Sequence, residues 1–300
     1  MLWNVFIRKE VEIIMDNRII VKKEHRFLLI SKFIYEIKKY NEVIKINFKS
    51  CIIWRFDVLA NILLTVTKIM FAYILWKAVF GKNDVIGGFT FYSMLTYYVT
   101  GAFLSGADMS RKISDEICTR VISGTFSKYI IIPVNIQIYF MAQNFGRMIF
   151  YLLLNIVSLF TWTLVLKTGF SFTNNMYYLG TAGIMALLGL IFMTEFQFFI
   201  GILSFKFLEI SLFRIIVDNI MVFVTGVVIP LSLLPEAVTA VMHFFPFYYI
   251  VYLPSMLMIG RNGNEALTGL IIIFVWVLAF FIINNLLYKR LRVLFEGVGI

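Results

Sequence analysis

Charged side chains inside long apolar runs are the first place to look for chemistry, because an uncompensated charge in hydrocarbon is costly. Four such charges occur here: Lys68, Lys77, Glu195 and Asp218. Lys77 lies near the end of its run and can snorkel to the interface. Asp218 follows Arg214 by one helical turn, a spacing that predicts a pair near the inner interface. Lys68 and Glu195 are the expensive ones. Lys68 lies about 10 residues into an outward-running helix, roughly 15 Å at 1.5 Å per residue. Glu195 lies about 9 residues from the inner end of an inward-running helix, roughly 14 Å deep by the same rise. The matched depths predict an intramembrane charge pair, and such a pair is also what an ion or proton relay would use.

Other chemistry is missing from the sequence. No G-x-x-x-x-G-K-[ST] phosphate loop occurs, and the nearest run, Gly124 to Lys128, lacks the second glycine and the spacing. The chain therefore has no means of hydrolysing ATP by itself, and no cofactor is expected in it. His25 and His243 are far apart and away from paired carboxylates or cysteines, so no metal site is expected, and His243 reads as an interfacial side chain. Cys51 and Cys118 both fall in segments assigned to the cytoplasm, which predicts reduced thiols. No Ser/His/Asp constellation shares a face. A non-catalytic protein is the expectation.

The elements that hold these residues are apolar helices. Hydrophobic residues make up 61% of the chain and charged residues 15%, against about 25% charged in soluble domains. Six runs reach the length of about 20 residues that a spanning helix needs. They lie at about 58–80, 89–107, 148–166, 176–204, 215–234 and 266–287. Runs so rich in Leu, Ile and Phe, without turn residues at short intervals, predict helices and not barrel strands. The fold class is thus an all-α integral membrane protein with six transmembrane helices.

Lys and Arg set the orientation. The net charge is +10, and the basic residues flank the apolar runs on one side in the positive-inside pattern, with no basic stripe suited to nucleic acid. The segment before the first span is strongly basic. Arg111, Lys112, Arg120, Lys128 and Arg147 occupy the second inner segment, Lys206 and Arg214 the third, and Lys289, Arg290 and Arg292 the tail. The outer loops carry Lys82, Lys167 and Arg261, one apiece. Both termini are therefore expected in the cytoplasm of a cell (inner) membrane protein. Residues 1–37 read as a basic cytoplasmic extension and 38–300 as the membrane domain.

Three stretches carry more than hydropathy. Residues 38–55 are basic and amphipathic. Val43, Ile44, Ile46, Phe48, Ile52 and Ile53 can share much of a face, with Trp54 at the interface, which predicts a helix lying on the inner membrane surface in preference to a solvated helical arm. In the inner segment 108–133, Ile113, Ile117 and Val121 recur at helical spacing beside Asp115, Glu116 and Arg120. That is a short amphipathic helix ended by Gly124. It either packs on its own membrane domain or offers its apolar face to a cytoplasmic partner, with the charges exposed. Finally, Pro230, Pro235, Pro246 and Pro254 break one outer stretch repeatedly. The apolar pieces between them, about 236–245 and 247–259, are too short to span, which predicts a re-entrant hairpin acting as an outer gate in preference to a plain extracellular loop with aromatic interfacial anchors.

Taken together these pieces resemble the permeases of type 2 ATP-binding-cassette (ABC) exporters. The resemblance rests on the pre-span KKYNEVIKINFKSCIIWRFDVL and on Ile117, Ser123, Gly124, Thr125 and Pro133 in the inner loop. It rests also on Gly226, Ile229, Pro230, Leu231, Leu234 and Pro235, on Phe245, Pro246, Phe247, Tyr252, Leu253 and Pro254, and on Lys289, Arg290, Glu296 and Gly297. It covers residues 38–300. It implies an interfacial helix, a coupling helix between spans two and three, and an outer hairpin between spans five and six. It also implies a separate cytoplasmic ABC ATPase dimer that holds the ATP, a second permease (a copy or a paralogue), and export of an amphiphilic or other substrate. The competing expectation is an ion-coupled secondary transporter built on Lys68 and Glu195.

Overall fold

The computed structural model describes residues 34–53, 55–166, 169–207 and 209–295. Most of the extension expected over 1–37, and with it Trp54, Lys167, Glu296 and Gly297, lies outside the described residues. Helix α1 covers 34–53 and α2 Arg55–Phe80. A two-residue hairpin pairs β1 (Val85–Ile86) with β2 (Phe89–Thr90) and leads into α3 (Phe91–Ala107). Then follow α4 (Arg111–Ile122), α5 (Ser127–Ile131), α6 (Ile136–Leu166), α7 (Met176–Phe207) and α8 (Ser211–Val224). Two short helices, α9 (Glu236–Met242) and α10 (Tyr252–Met258), precede the long α11 (Ala266–Leu291).

The described residues are all-α apart from the small hairpin. Among the described residues, four helices are long and apolar enough to cross a membrane: α2, α6, α7 and α11. The pieces at Glu236–Met242 and Pro246–Met258 meet at 89° and together reach spanning length, giving up to 5 candidates. Two expected spans are shorter than the sequence suggested. Helix α3 has 17 residues because the chain spends Phe89 and Thr90 in the strand pair, and Thr90 then caps the helix in a reciprocal box with Ser93. Helix α8 has 14 residues and stops ten positions before the expected boundary at 234. Gly226, at φ 78°, takes a left-handed conformation that side chains disfavour, and Thr225 caps the helix just before it. In the other direction, α6 begins at Ile136 and not near 148, so the loop before it is shorter and the helix extends beyond the apolar run.

Helix α7 is the centre of the bundle. Its side chains at Met185, Leu190, Phe192, Phe198 and Ile202 are buried against α3, α4, α10 and α11. Two apolar cores result. One joins α2, α3, α7, α10 and α11 around Tyr97, Phe192, Tyr252 and Leu253. The other joins α4, α6, α7 and α11 around Ile113, Ile117, Phe126, Phe140 and Phe205. Helix α1 rests on the inner half of α6: the Phe48 ring meets Phe150 at 5.6 Å, and the Tyr40 hydroxyl accepts from the Asn135 amide at 3.1 Å. The apolar residues of α1 divide between two sides. Val43, Ile44 and Phe48 are half-buried, whereas Ile46, Ile52 and Ile53 are exposed. The single shared face expected for these six is therefore split.

Candidate functional site

The short helix α4 was singled out by sequence, and the fold places it at a junction. It ends as expected: Gly124, at φ 70°, lets the chain turn, and the Gly124 and Phe126 amides donate to the carbonyls of Val121 and Arg120. Its apolar face does not look outward. Ile113 and Ile117 are fully buried and Val121 nearly so, packed on α7. The two helices come close because Gly201 faces α4, where a Cβ would lie 2.9 Å from Ile117 Cδ1 and 3.2 Å from Ser114 Cα. The expectation that this apolar face fills a partner's groove is thus corrected: the bundle already occupies it.

The charged side of α4 differs from expectation as well. Asp115 is exposed, but Glu116 and Arg120 are only 17% and 28% exposed. The Glu116 carboxylate is a hub. One oxygen accepts from Arg120 Nε at 3.0 Å and Nη2 at 2.9 Å, and from the Tyr129 hydroxyl at 2.9 Å. The other accepts from Gln143 Nε2 at 3.0 Å and lies 3.6 Å from Arg147 Nη2. Burial alone would raise this carboxyl. The hydrogen bonds from Tyr129 and Arg120, with the Arg120 and Arg147 charges, outweigh it and hold Glu116 below the usual carboxylate range. Burial first, and then the Glu116 charge, push the Tyr129 hydroxyl up. Glu116 so fastens α4 to α5 and α6.

A second set of polar contacts fastens α4 to α7 and α8. The Ser114 hydroxyl donates to Gln197 Oε1 at 2.7 Å, and Gln197 Nε2 donates to Asp218 Oδ1 at 2.9 Å. Arg111 Nε lies 3.4 Å from the same Asp218 oxygen, and Arg214 pairs with Asp115. The Arg214–Asp218 pair expected from sequence is therefore replaced by two pairs that both reach α4. On the open side, Lys112, Asp115, Thr119, Arg120, Ser123 and Thr125 line a concavity of about 490 Å³.

The structure does not bring Lys68 and Glu195 together. Glu195 is fully buried between α6, α7 and α11, and its carboxylate accepts from Gln137 Nε2 and Asn284 Nδ2, each at 2.6 Å. Lys68 instead lines a cavity of about 690 Å³ between α2, α3, α7 and α8. Residue counting gave the two similar depths, but their side chains lie among different helices. The cavity walls are largely apolar (Ile69, Phe71, Leu75, Tyr98, Met193, Val228), with Asp108 and Arg111 also contributing.

The four prolines hold the outer turns. Pro230 and Pro235 start a 3₁₀ turn and α9 respectively. Pro246 opens the turn that leads to α10, and Pro254 lies in the first turn of α10, where a missing N–H costs nothing. This region is anchored to the bundle from α3: the buried Tyr97 hydroxyl donates to the Gly226 carbonyl at 2.6 Å, and Tyr98 donates to the Val228 carbonyl. His243, expected as an interfacial side chain, stacks on Tyr248 at 4.1 Å and lies 3.9 Å from Glu265.

Sequence reasoning missed Gln137, Gln143, Arg147 and Gln197, the residues that receive the buried carboxylates and Ser114. The signal was present. Gln137, Gln143, Asn144 and Arg147 interrupt the inner end of α6 at helical intervals, where a purely lipid-facing helix would carry none of them.

An apolar helical bundle with a charged junction around α4 defines a multi-pass membrane protein. The family model described as ABC-2 family transporter protein matches residues 63–299. A search of curated proteins finds no match to the chain. The chain belongs to the ABC-2 transporter family and is a permease, the transmembrane subunit of an ABC transport system.

Proposed function

We propose that the chain is one half of an export permease, driven by ATP hydrolysed on a separate ABC ATPase dimer that docks against α4. The observation that carries this reading is the fastening of α4. A helix tied by Glu116 to α5 and α6, and by Ser114, Asp115 and Arg111 to α7 and α8, cannot move without moving the bundle. The ATPase reads the polar rim of Lys112, Asp115, Thr119 and Ser123, not the apolar face. Rim charges fix orientation and register at such contacts.

The rest of the architecture follows the same reading. Six crossings place both termini in the cytoplasm, with α3 and α8 as short crossings in a locally thinned or protein-covered region. Helix α1 lies along the inner membrane surface. Helices α9 and α10 form a re-entrant hairpin whose prolines 230, 235, 246 and 254 make it stiff enough to part from its counterpart. The exposed apolar faces of α2 (Leu59, Leu63, Leu64, Ile74) and α8 (Leu212, Ile215, Ile216, Phe223) meet lipid and a second permease. The cavity lined by Lys68 then opens onto the path between the two halves.

The test is co-purification. Thr119 is exposed on the rim, so Thr119→Arg should leave the fold intact and block the ATPase sterically. A tagged chain extracted from its native membrane should bring down ATP-hydrolysing activity, and the Thr119→Arg chain should not. An ATPase that remains bound to the variant would refute docking at α4.

A further inference from the structure

We propose that Lys68 selects the headgroup of the transported molecule, and that the substrate class is an amphiphile with an anionic headgroup on an apolar body. The inference rests on the cavity between α2, α3, α7 and α8 being the transport path. Lys68 lies 13 residues after Arg55 and 12 before Phe80 (68 − 55; 80 − 68), at the middle of α2. That is roughly 20 Å from the helix start at 1.5 Å per residue. It is too deep for the ammonium to reach either interface along its own stem.

Among the described residues Lys68 makes no ion pair, hydrogen bond or ring contact. Of the other charged residues of this cavity, Arg111 is paired with Asp218, and Asp108, at the end of α3, accepts from the neutral Ser110 amide at 3.0 Å. The positive charge without a partner is therefore that of Lys68. A second copy meeting this one through α2 or α8 would not supply one: no acidic residue occurs from Val58 to Phe80, and the acid of α8, Asp218, is taken by Arg111 and Gln197. Lys68 is exposed in the single chain, and an ammonium held at mid-helix beside lipid and apolar walls without an anion is costly. Its natural complement is an anion brought by the cargo.

The cavity has the size and lining for such cargo. At about 690 Å³ it falls among small-molecule sites, and Phe71, Leu75, Tyr98 and Met193 offer contact to an alkyl or ring body. In this low-dielectric setting a carboxylate, sulfate or phosphate ester near the ammonium gains much more than in water. The compact Lys charge with three donors accepts any of these without demanding a planar fork. Cationic amphiphiles are repelled by the same charge.

The experiment uses the full-length chain in nanodiscs of zwitterionic lipid. Three photoactivatable probes share one long saturated chain and end in a carboxylate, a methyl ester or a trimethylammonium group. Labelling of α2, α3 and α8 peptides is divided by labelling of the exposed face of α11, which corrects for lipid partitioning. The carboxylate probe should exceed the ester by about 10-fold, equivalent to roughly 1.4 kcal/mol. Lys68→Met should remove the preference, and Lys68→Arg should keep it. Equal ratios for the three probes, or a preference that survives Lys68→Met, would overturn the proposal. Either result leaves the Thr119→Arg test of ATPase docking untouched, so the two claims fail separately.

Discussion

Replacing Glu116 by Ala should damage the permease far more than its place on a short loop helix suggests. The side chain accepts four hydrogen bonds, two from Arg120 and one each from Tyr129 and Gln143, and faces Arg147, which is 15% exposed. Removing it leaves the Tyr129 hydroxyl, Gln143 and the largely buried Arg147 guanidinium without their acceptor. Breaking a buried pair costs about 3–5 kcal/mol, and an exposed pair about 0.2–1 kcal/mol. With Glu116 only 17% exposed, a value near the lower end of the buried range, about 3 kcal/mol, is expected. Arg120→Ala removes two of the four hydrogen bonds but leaves Glu116 with Tyr129, Gln143 and Arg147, so about 1 kcal/mol is expected for this partly exposed pair. The double replacement should cost little more than Glu116→Ala alone, because the pair shares a network. Thermal unfolding in detergent, ranked across the three variants, reads this order. The pH dependence follows from the lowered carboxyl. The stability Glu116 contributes is complete above its ordinary value of 4.5 and is lost as pH falls through the depressed folded value. Glu116→Gln should therefore flatten the acid limb of the stability curve. Three variants that all melt like the parent would refute the hub.

Other expectations follow from the same contacts. Lys68→Met and Glu195→Gln should have additive effects on folded yield, since the two side chains contact different helices; restoration by the double change would contradict the separation. Tyr97→Phe leaves the Gly226 carbonyl without its donor and should cost about 1–3 kcal/mol while raising cysteine accessibility in the outer turns; unchanged melting and labelling would count against Tyr97 as their anchor. Gly201→Val should push α4 off α7 and cost about 1–3 kcal/mol, measured by unfolding in detergent; a neutral effect would mean the close approach is not sustained.

Much of this was legible in the sequence because it depends on local pattern. The long apolar runs became α2, α6, α7 and α11, Gly124 ended α4, and the prolines fell at the starts of short outer helices. What was not legible depends on azimuth and on distant partners. Hydropathy gives the depth of Lys68 and Glu195 but not which way each points, and Glu195 turned toward Gln137 and Asn284. The one-turn spacing of Arg214 and Asp218 suggested a pair, yet α4 lies beside that turn and supplies a better-placed acid for one and a base for the other. The apolar face of α4 was read correctly as a face, but periodicity cannot say whose groove it fills. Gly201, far along the chain, makes that groove on α7.

The central claim is that force enters through the rim of α4. Hydrogen exchange over residues 111–125 tests it most directly, comparing the chain alone with the complex trapped with ATP. The exposed positions around Thr119 and Ser123 should exchange more slowly in the complex, while α11 is unaffected. A complex that forms and hydrolyses ATP with exchange in 111–125 unchanged would contradict it.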